Sequence, residues 1–166
     1  YVAADWGSAF PALNYGFNLG MEFKGFGVNA YFQGAALQTK NIMYVAGVWG
    51  ALSDNRNLSR EYYAHCFDIA GADALYPRLS TTSVANNTQQ STTWFRSVSW
   101  LKLRDCEVYY RLPASVLRKM KVSEAKLYVQ GQNLLSFDNI PAMDAENLNT
   151  GYPVLKAVNV GLSIVF

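Results

Sequence analysis

The side chains able to do chemistry form a few small groups in this 166-residue chain. The lone histidine, His65, stands beside Cys66, with Asp68 and Asp73 close behind. One imidazole among scattered carboxylates lacks the ligand spacing of a transition-metal site. Asp105, Glu107 and Arg111 have the types needed for general acid–base work. Their alternate spacing puts them along one side of a strand, where cross-strand ion pairs or the lining of a polar channel account for them. Asp144 and Glu146, with loop carbonyls, are candidates for Ca²⁺, a cation that takes about six to eight oxygens. Cys66 and Cys106 show neither metal nor redox spacing and are expected as two unpaired thiols. No nucleophile–base–orienter set, phosphate-binding glycine loop or hydrolase motif is present. No catalytic residue, no cofactor and no enzymatic activity are expected.

Aromatic residues are the other group with binding potential. Trp49, Tyr62, Tyr63, Trp94 and Trp100 lie in or beside one long irregular segment. Rings of this kind stack on sugars or grip peptides, because they offer a large area at small entropic cost. Trp49, Tyr62, Tyr63 and Trp94 are therefore the candidate substrate contacts. Packing of the segment on itself, or against a partner protein, explains the same residues.

Composition bounds what can hold these groups. Charged residues make up 16% and aromatics 14%, with Tyr alone at 11 positions. The net charge of +2 is too small and too dispersed to favour nucleic acid. No run of about 18 apolar residues exists, so no transmembrane helix is expected. The opening Tyr1-Val-Ala-Ala-Asp-Trp6 has neither a basic start nor an apolar core. A secreted β-protein begins with such a leader, so the chain is expected to be a piece of something longer.

The pattern of the chain is a period of two. Leu13, Tyr15, Phe17, Leu19, Met21 and Phe23 alternate with Asn14, Gly16, Asn18, Gly20, Glu22 and Lys24. Large apolar side chains on one parity and polar or absent ones on the other describe a wall between lipid and a polar lumen. A glycine-containing turn at 24–26 leads into a second strand, about 26–34, with Phe26, Val28, Ala30 and Phe32 on the apolar parity. Tyr15, Phe17, Phe23, Phe26 and Phe32 are read as lipid face and interfacial girdle. Residues 35–96 show no sustained period, apart from a short helix near 59–67. Strand three, about 98–112, turns Asp105, Glu107 and Arg111 to the lumen, and its parity slips near Arg104, which calls for a bulge or an exit from the bilayer there. Strand four, about 123–133, sets Ala125, Leu127 and Val129 against Lys126, Tyr128, Gln130 and Gln132, so Tyr128 and Gln130 also face the lumen. Strand five, about 153–166, ends the sequence on Phe166 with one continuous apolar parity.

If Phe166 ends on the periplasmic side, the long segments 35–96 and 134–152 both fall outside, and the short connections both fall inside. That is the loop asymmetry of outer-membrane barrels. Five strands cannot close a barrel, since even small ones need about eight. The fold class is therefore all-β, the last five strands of an antiparallel transmembrane β-barrel. The competing reading is a soluble or surface-exposed β-sandwich whose alternation reflects a core between two sheets.

An ordered series of motifs resembles one family. Tyr76-Pro-Arg-Leu79, Trp94, Ser99-Trp-Leu-Lys-Leu-Arg-Asp105 and Tyr110-Arg-Leu-Pro113 come first. Leu127-Tyr-Val-Gln-Gly-Gln-Asn-Leu-Leu135, Asp144-Ala-Glu146, Tyr152-Pro153 and the ending Gly161 to Phe166 follow. Their order and spacing are similar to the C-terminal end of the SusC/RagA family of TonB-linked outer-membrane transporters. Asp144-Ala145-Glu146 replaces the family's usual Asp-Pro-Glu, and Trp100 its usual Tyr. The resemblance implies a 22-stranded barrel of a Gram-negative, Bacteroidota-like outer membrane, closed by an N-terminal plug that this chain does not contain. It implies a SusD-like surface lipoprotein as partner, the TonB complex acting through the missing part, and import of oligosaccharides or peptides. It further implies that Phe166 is the terminal aromatic read by the barrel-assembly machinery.

Overall fold

A computed structural model describes residues 6–43, 45, 48, 58–140, 143–148 and 154–166. Five strands form one sheet: β1 (Leu13–Phe23), β2 (Phe26–Asn41), β3 (Phe95–Arg111), β4 (Glu124–Asp138) and β5 (Ala157–Val165). Their order in the sheet is their order in the chain, an antiparallel meander. Helices α1 (Arg60–His65) and α2 (Phe67–Ala70) lie between β2 and β3, and α3 (Ala114–Met120) lies between β3 and β4. No helix among the described residues is long and apolar enough to cross a membrane.

The chain divides into two compact units. One comprises residues 14–35, 100–137 and 154–166, and the other 1–13, 36–99 and 138–153. The first is sheet with two unlike faces. Lys24 and Gly25 both take positive φ, 50° and 88°, the signature of a type I′ two-residue hairpin turn. That turn sets Phe17 across from Phe32, and their rings stack 4.9 Å apart on the apolar face. Phe26 and Tyr110 continue the face with centroids 4.4 Å apart. Between β4 and β5 the register pairs Leu127 with Leu162 and Val129 with Val160 on that side. Tyr128 with Gly161 and Gln130 with Asn159 fall on the other. The apolar residues are exposed along its length, Met21 at 75% and Val160 at 78%.

Strand boundaries differ from the sequence expectation for an identifiable reason. β2 runs on to Asn41 instead of ending near 34, and β4 to Asp138 instead of 133. Each continuation follows a non-glycine residue in the left-handed region, Leu37 (φ 57°) and Asn133 (φ 52°). Such a residue inside a strand marks a bulge, which shifts the parity and hides the rest of the strand from a period of two. β5 is shorter than expected, nine residues instead of fourteen. Its ladder stops at Gln132↔Ala157, immediately before the bulged Asn133. There the Asn133 side chain donates to the Leu155 carbonyl (3.2 Å) in place of the main chain. Pro153 lies outside the described residues, and Phe166 follows the strand.

The second unit holds a core of its own, where the sequence suggested irregular chain with a short helix near 59–67. Ile42, Met43, Val45, Val48, Tyr62, Cys66, Tyr76 and Trp94 are buried together, with Leu79, Met143 and Leu148 packed against them. Helix α1 starts at the Ser59 hydroxyl, which accepts from the Tyr62 amide (3.1 Å), an N-cap that satisfies one orphan donor. The His65 carbonyl accepts from the amides of Leu75 and Tyr76, and Phe67 donates back to Tyr76. The neck is closed by Ile42 N–H donating to the Trp94 carbonyl at 2.9 Å.

Two predictions test this core. Trp94 is 1% exposed and its indole N–H donates to the Asn87 carbonyl. Trp94→Ala should cost about 3–5 kcal/mol of this unit's stability, read as protease sensitivity of residues 58–94. Burial pushes the Tyr62 phenol up to about 12, with Cys66, Tyr76 and Asp68 acting in the same direction. Burial also raises Tyr76, helped by Glu61 and opposed by Arg96. The unfolded chain releases these protons near pH 10 while the folded unit holds them longer, so stability is full below about pH 10 and falls between about 10 and 12. Tyrosinate absorbance should therefore appear together with unfolding, and Tyr62→Phe should push the transition to higher pH.

Candidate functional site

The polar face of the sheet gathers several charged pairs. Glu107 and Lys126 face each other from β3 and β4, with Nζ 3.1 Å and 3.3 Å from the two carboxylate oxygens. Asp105 accepts from the Gln130 amide at 2.7 Å. Arg111 donates to Glu22 at 2.8 Å and lies 3.6 Å from Glu124. Tyr109 donates its hydroxyl to the same Glu22 oxygen, also at 2.8 Å. Further along β3, Arg104 donates to Gln33 on β2 (2.9 Å) and to Asn133 on β4 (3.1 Å). Cations also cap the rings of this face: Arg111 over Tyr109, and Lys126 over both Tyr109 and Tyr128, each at 5.1–5.2 Å.

Arg104 and Asp105 are neighbours in sequence, yet both reach polar partners of one face. In a regular strand they would point apart, so β3 changes parity at this step, where the sequence called for a bulge. The charges are matched in pairs across strands, and each exposed pair is worth at most about 1 kcal/mol. Their shared property is a wall of alternating donors and acceptors, without a nucleophile placed against a base. Among the described residues no group of three or more His, Cys, Asp or Glu could hold a metal ion. The Asp144 carboxylate accepts from the Glu146 amide at 3.1 Å, closing a short turn. His65 Nδ1 is 3.1 Å from its helix neighbour Glu61.

Glycine is what lets this face cross strands. The two-residue turn places Glu22 on β1 opposite Gly27 on β2. A Cβ on Gly27 would run into the Tyr109 ring, closest to Cζ, then Oη and Cε1. Tyr109 therefore lies flat over β2 and reaches a carboxylate two strands away. The apolar face repeats the device: Tyr15 lies over Gly34 and donates to the Trp100 carbonyl on β3 at 3.1 Å.

The sequence-derived residues fall unevenly. Asp105, Glu107, Arg111, Tyr128 and Gln130 come together on one face, as their parity required. Glu22, Arg104, Tyr109, Lys126 and Gln33 complete that face, and parity alone carried the signal for all but Arg104. The loop aromatics separate instead. Tyr62 is fully buried, stacked 4.7 Å from Tyr76 with its hydroxyl donating to the Pro77 carbonyl. Trp94 is buried as described above. These two rings are buried in the loop core. Tyr63 is 51% exposed, and Trp49 lies outside the described residues. Cys66 belongs to the loop core, its thiol donating to the Tyr63 carbonyl, and Cys106 is half-buried in β3.

Comparison with known proteins gives a consistent picture. No family model matches the chain. It is 26% identical over 176 aligned positions to TonB-dependent receptor P3 of Formosa agariphila, covering 96% of this chain. It is 21% identical over 182 positions to TonB-dependent receptor P26 of the same organism, again covering 96%. The chain spans 17% of the length of either receptor. Among solved structures, a chain of the RagAB peptide importer in its open-open state superposes with a TM-score of 0.69 and 22% identity. In the closed-closed state the TM-score is 0.71 and the identity 23%. These cover 96% and 95% of this chain and 18% of the importer chain. The fold is thus that of part of the importer chain, an antiparallel five-stranded sheet.

The glycine crossing is testable. Gly27→Ala should destabilise the sheet by about 1–3 kcal/mol through overpacking and displace Tyr109 from Glu22. Tyr109→Phe keeps the packing and loses only the hydroxyl, so it should unfold closer to wild type in urea than Gly27→Ala does.

Proposed function

We propose that this chain forms the C-terminal wall of a TonB-dependent outer-membrane importer. The observation that carries this reading is a single sheet whose apolar face stays exposed across all five strands, while the opposite face holds a paired polar network. In water so large an exposed apolar surface is a liability; against lipid it is the required surface. Similarity along nearly the whole chain to two proteins named TonB-dependent receptors supports the same reading. On it, the apolar face meets membrane lipid, and Asp105, Glu107, Arg111, Tyr128 and Gln130 line the lumen. Residues 42–94 and 139–156 then form extracellular loops.

In this reading the cargo is an oligosaccharide or peptide, and the solved importer of peptides favours the latter size class. A SusD-like surface lipoprotein covers the extracellular side. TonB supplies energy through a plug and an N-terminal segment outside this chain. The barrel belongs to a Bacteroidota-like outer membrane and performs no catalysis. Of the loop aromatics, Tyr63 keeps its role as a candidate cargo or lid contact. Asp144 and Glu146 keep theirs as candidate Ca²⁺ ligands only where loop carbonyls complete the shell. Phe166 is 92% exposed beyond β5.

Purification of the native protein tests the assignment. It should require detergent, have a mass several times that of this 18.5 kDa chain, and bring a lipoprotein with it. A protein monodisperse without detergent would return the sheet to a soluble sandwich.

A further inference from the structure

β5 is the last strand of the sheet, and its far edge is unpaired among the described residues. Tyr128 lies across it. A Cβ on Gly161 would meet the Tyr128 ring at Cζ, then Oη, then Cε1. Those are the same three atoms, in the same order, that Tyr109 sets against Gly27. Gly161 is directly opposite Tyr128 in the ladder, so the ring crosses β5 at its own level. A tyrosine is longer than the roughly 4.8 Å between strands. Its hydroxyl therefore lies over the glycine, within reach of a long side chain on the strand beyond, as the Tyr109 hydroxyl is within reach of Glu22.

The two rings differ in where the hydroxyl ends. Tyr109 finds a carboxylate at 2.8 Å. Tyr128 lies under the Lys126 ammonium, as Tyr109 does, but its hydroxyl has no hydrogen-bond partner among the described residues. We propose that the strand pairing with the free edge of β5 belongs to the same polypeptide and carries a carboxylate opposite Gly161. Tyr128 donates to it across the seam. The curated relatives are several times longer than this chain, which leaves ample sequence to supply that strand. The carboxylate follows from the face itself, since Glu22 on this face fills the equivalent place next to a tyrosine flanked by cations.

The inference rests on the barrel reading, and its test separates the two. A structure of the full-length protein in detergent should put Tyr128 Oη about 3 Å from a carboxylate oxygen of the adjoining strand. Urea-driven unfolding rates of the same protein then give a double-mutant cycle. Tyr128→Phe and replacement of that acid by alanine should each speed unfolding several-fold, and the double variant should unfold no faster than the faster of the two single variants. Rates that multiply, an apolar residue opposite Gly161, or a second copy of the chain on this edge would overturn the seam contact and leave the importer reading intact. Detergent-free monodispersity would instead overturn the importer reading.

Discussion

A sheet with no second layer must have each of its faces met by something other than protein core. This constraint governs the strand-forming parts of the chain. Side chains change sides at every residue, so each strand writes two environments into one sequence. On one side stand Phe17, Phe32, Leu127 and Leu162; on the other, Glu22, Glu107, Lys126 and Gln130. In the proposed importer, lipid and water satisfy the two without help from a packed interior. What remains for the protein to supply is lateral cohesion, through ladder hydrogen bonds and through side chains that span more than one strand. The tyrosines lying over glycines belong to this lateral system: they brace β1 to β3 across β2 on both faces.

The loop unit obeys the opposite logic. Its aromatic and aliphatic side chains turn inward, and Tyr62, Tyr76 and Trp94 fill a core as a small soluble domain would. Burial there is what raises the phenols of Tyr62 and Tyr76. One chain thus contains two kinds of stability. One is set by an external solvent and by neighbouring strands, and the other by a local apolar interior.

The sequence made the sheet legible and left the loop opaque, for a physical reason. Alternation is a local signal, so β1, with eleven strictly alternating residues, could be placed almost to the residue. The same signal assigned Asp105, Glu107, Arg111, Tyr128 and Gln130 to one face. It failed wherever a left-handed residue reset the parity, at Leu37 and Asn133, because the chain beyond a bulge reads as irregular. The pairing of partners was beyond it as well: nothing local links Glu22 to Tyr109 or Gln33 to Arg104. In the loop, the rings of Tyr62 and Trp94 resemble exposed binding residues by type. Only long-range packing, which has no period, decides that they point inward.

The hydrogen bond between Ile42 and the Trp94 carbonyl has a kinetic meaning. β1 and β2 meet across two residues, whereas β2 and β3 can pair only after about fifty residues have been brought round. By chain statistics that closure costs roughly 3 kcal/mol more than the hairpin turn, and it opposes an otherwise local meander. A loop that has already condensed around Tyr62 and Trp94, and tied its own neck, presents the two strand ends side by side. Such a condensed loop core favours an order of events in which the loop closes first and β3 then zips onto β2.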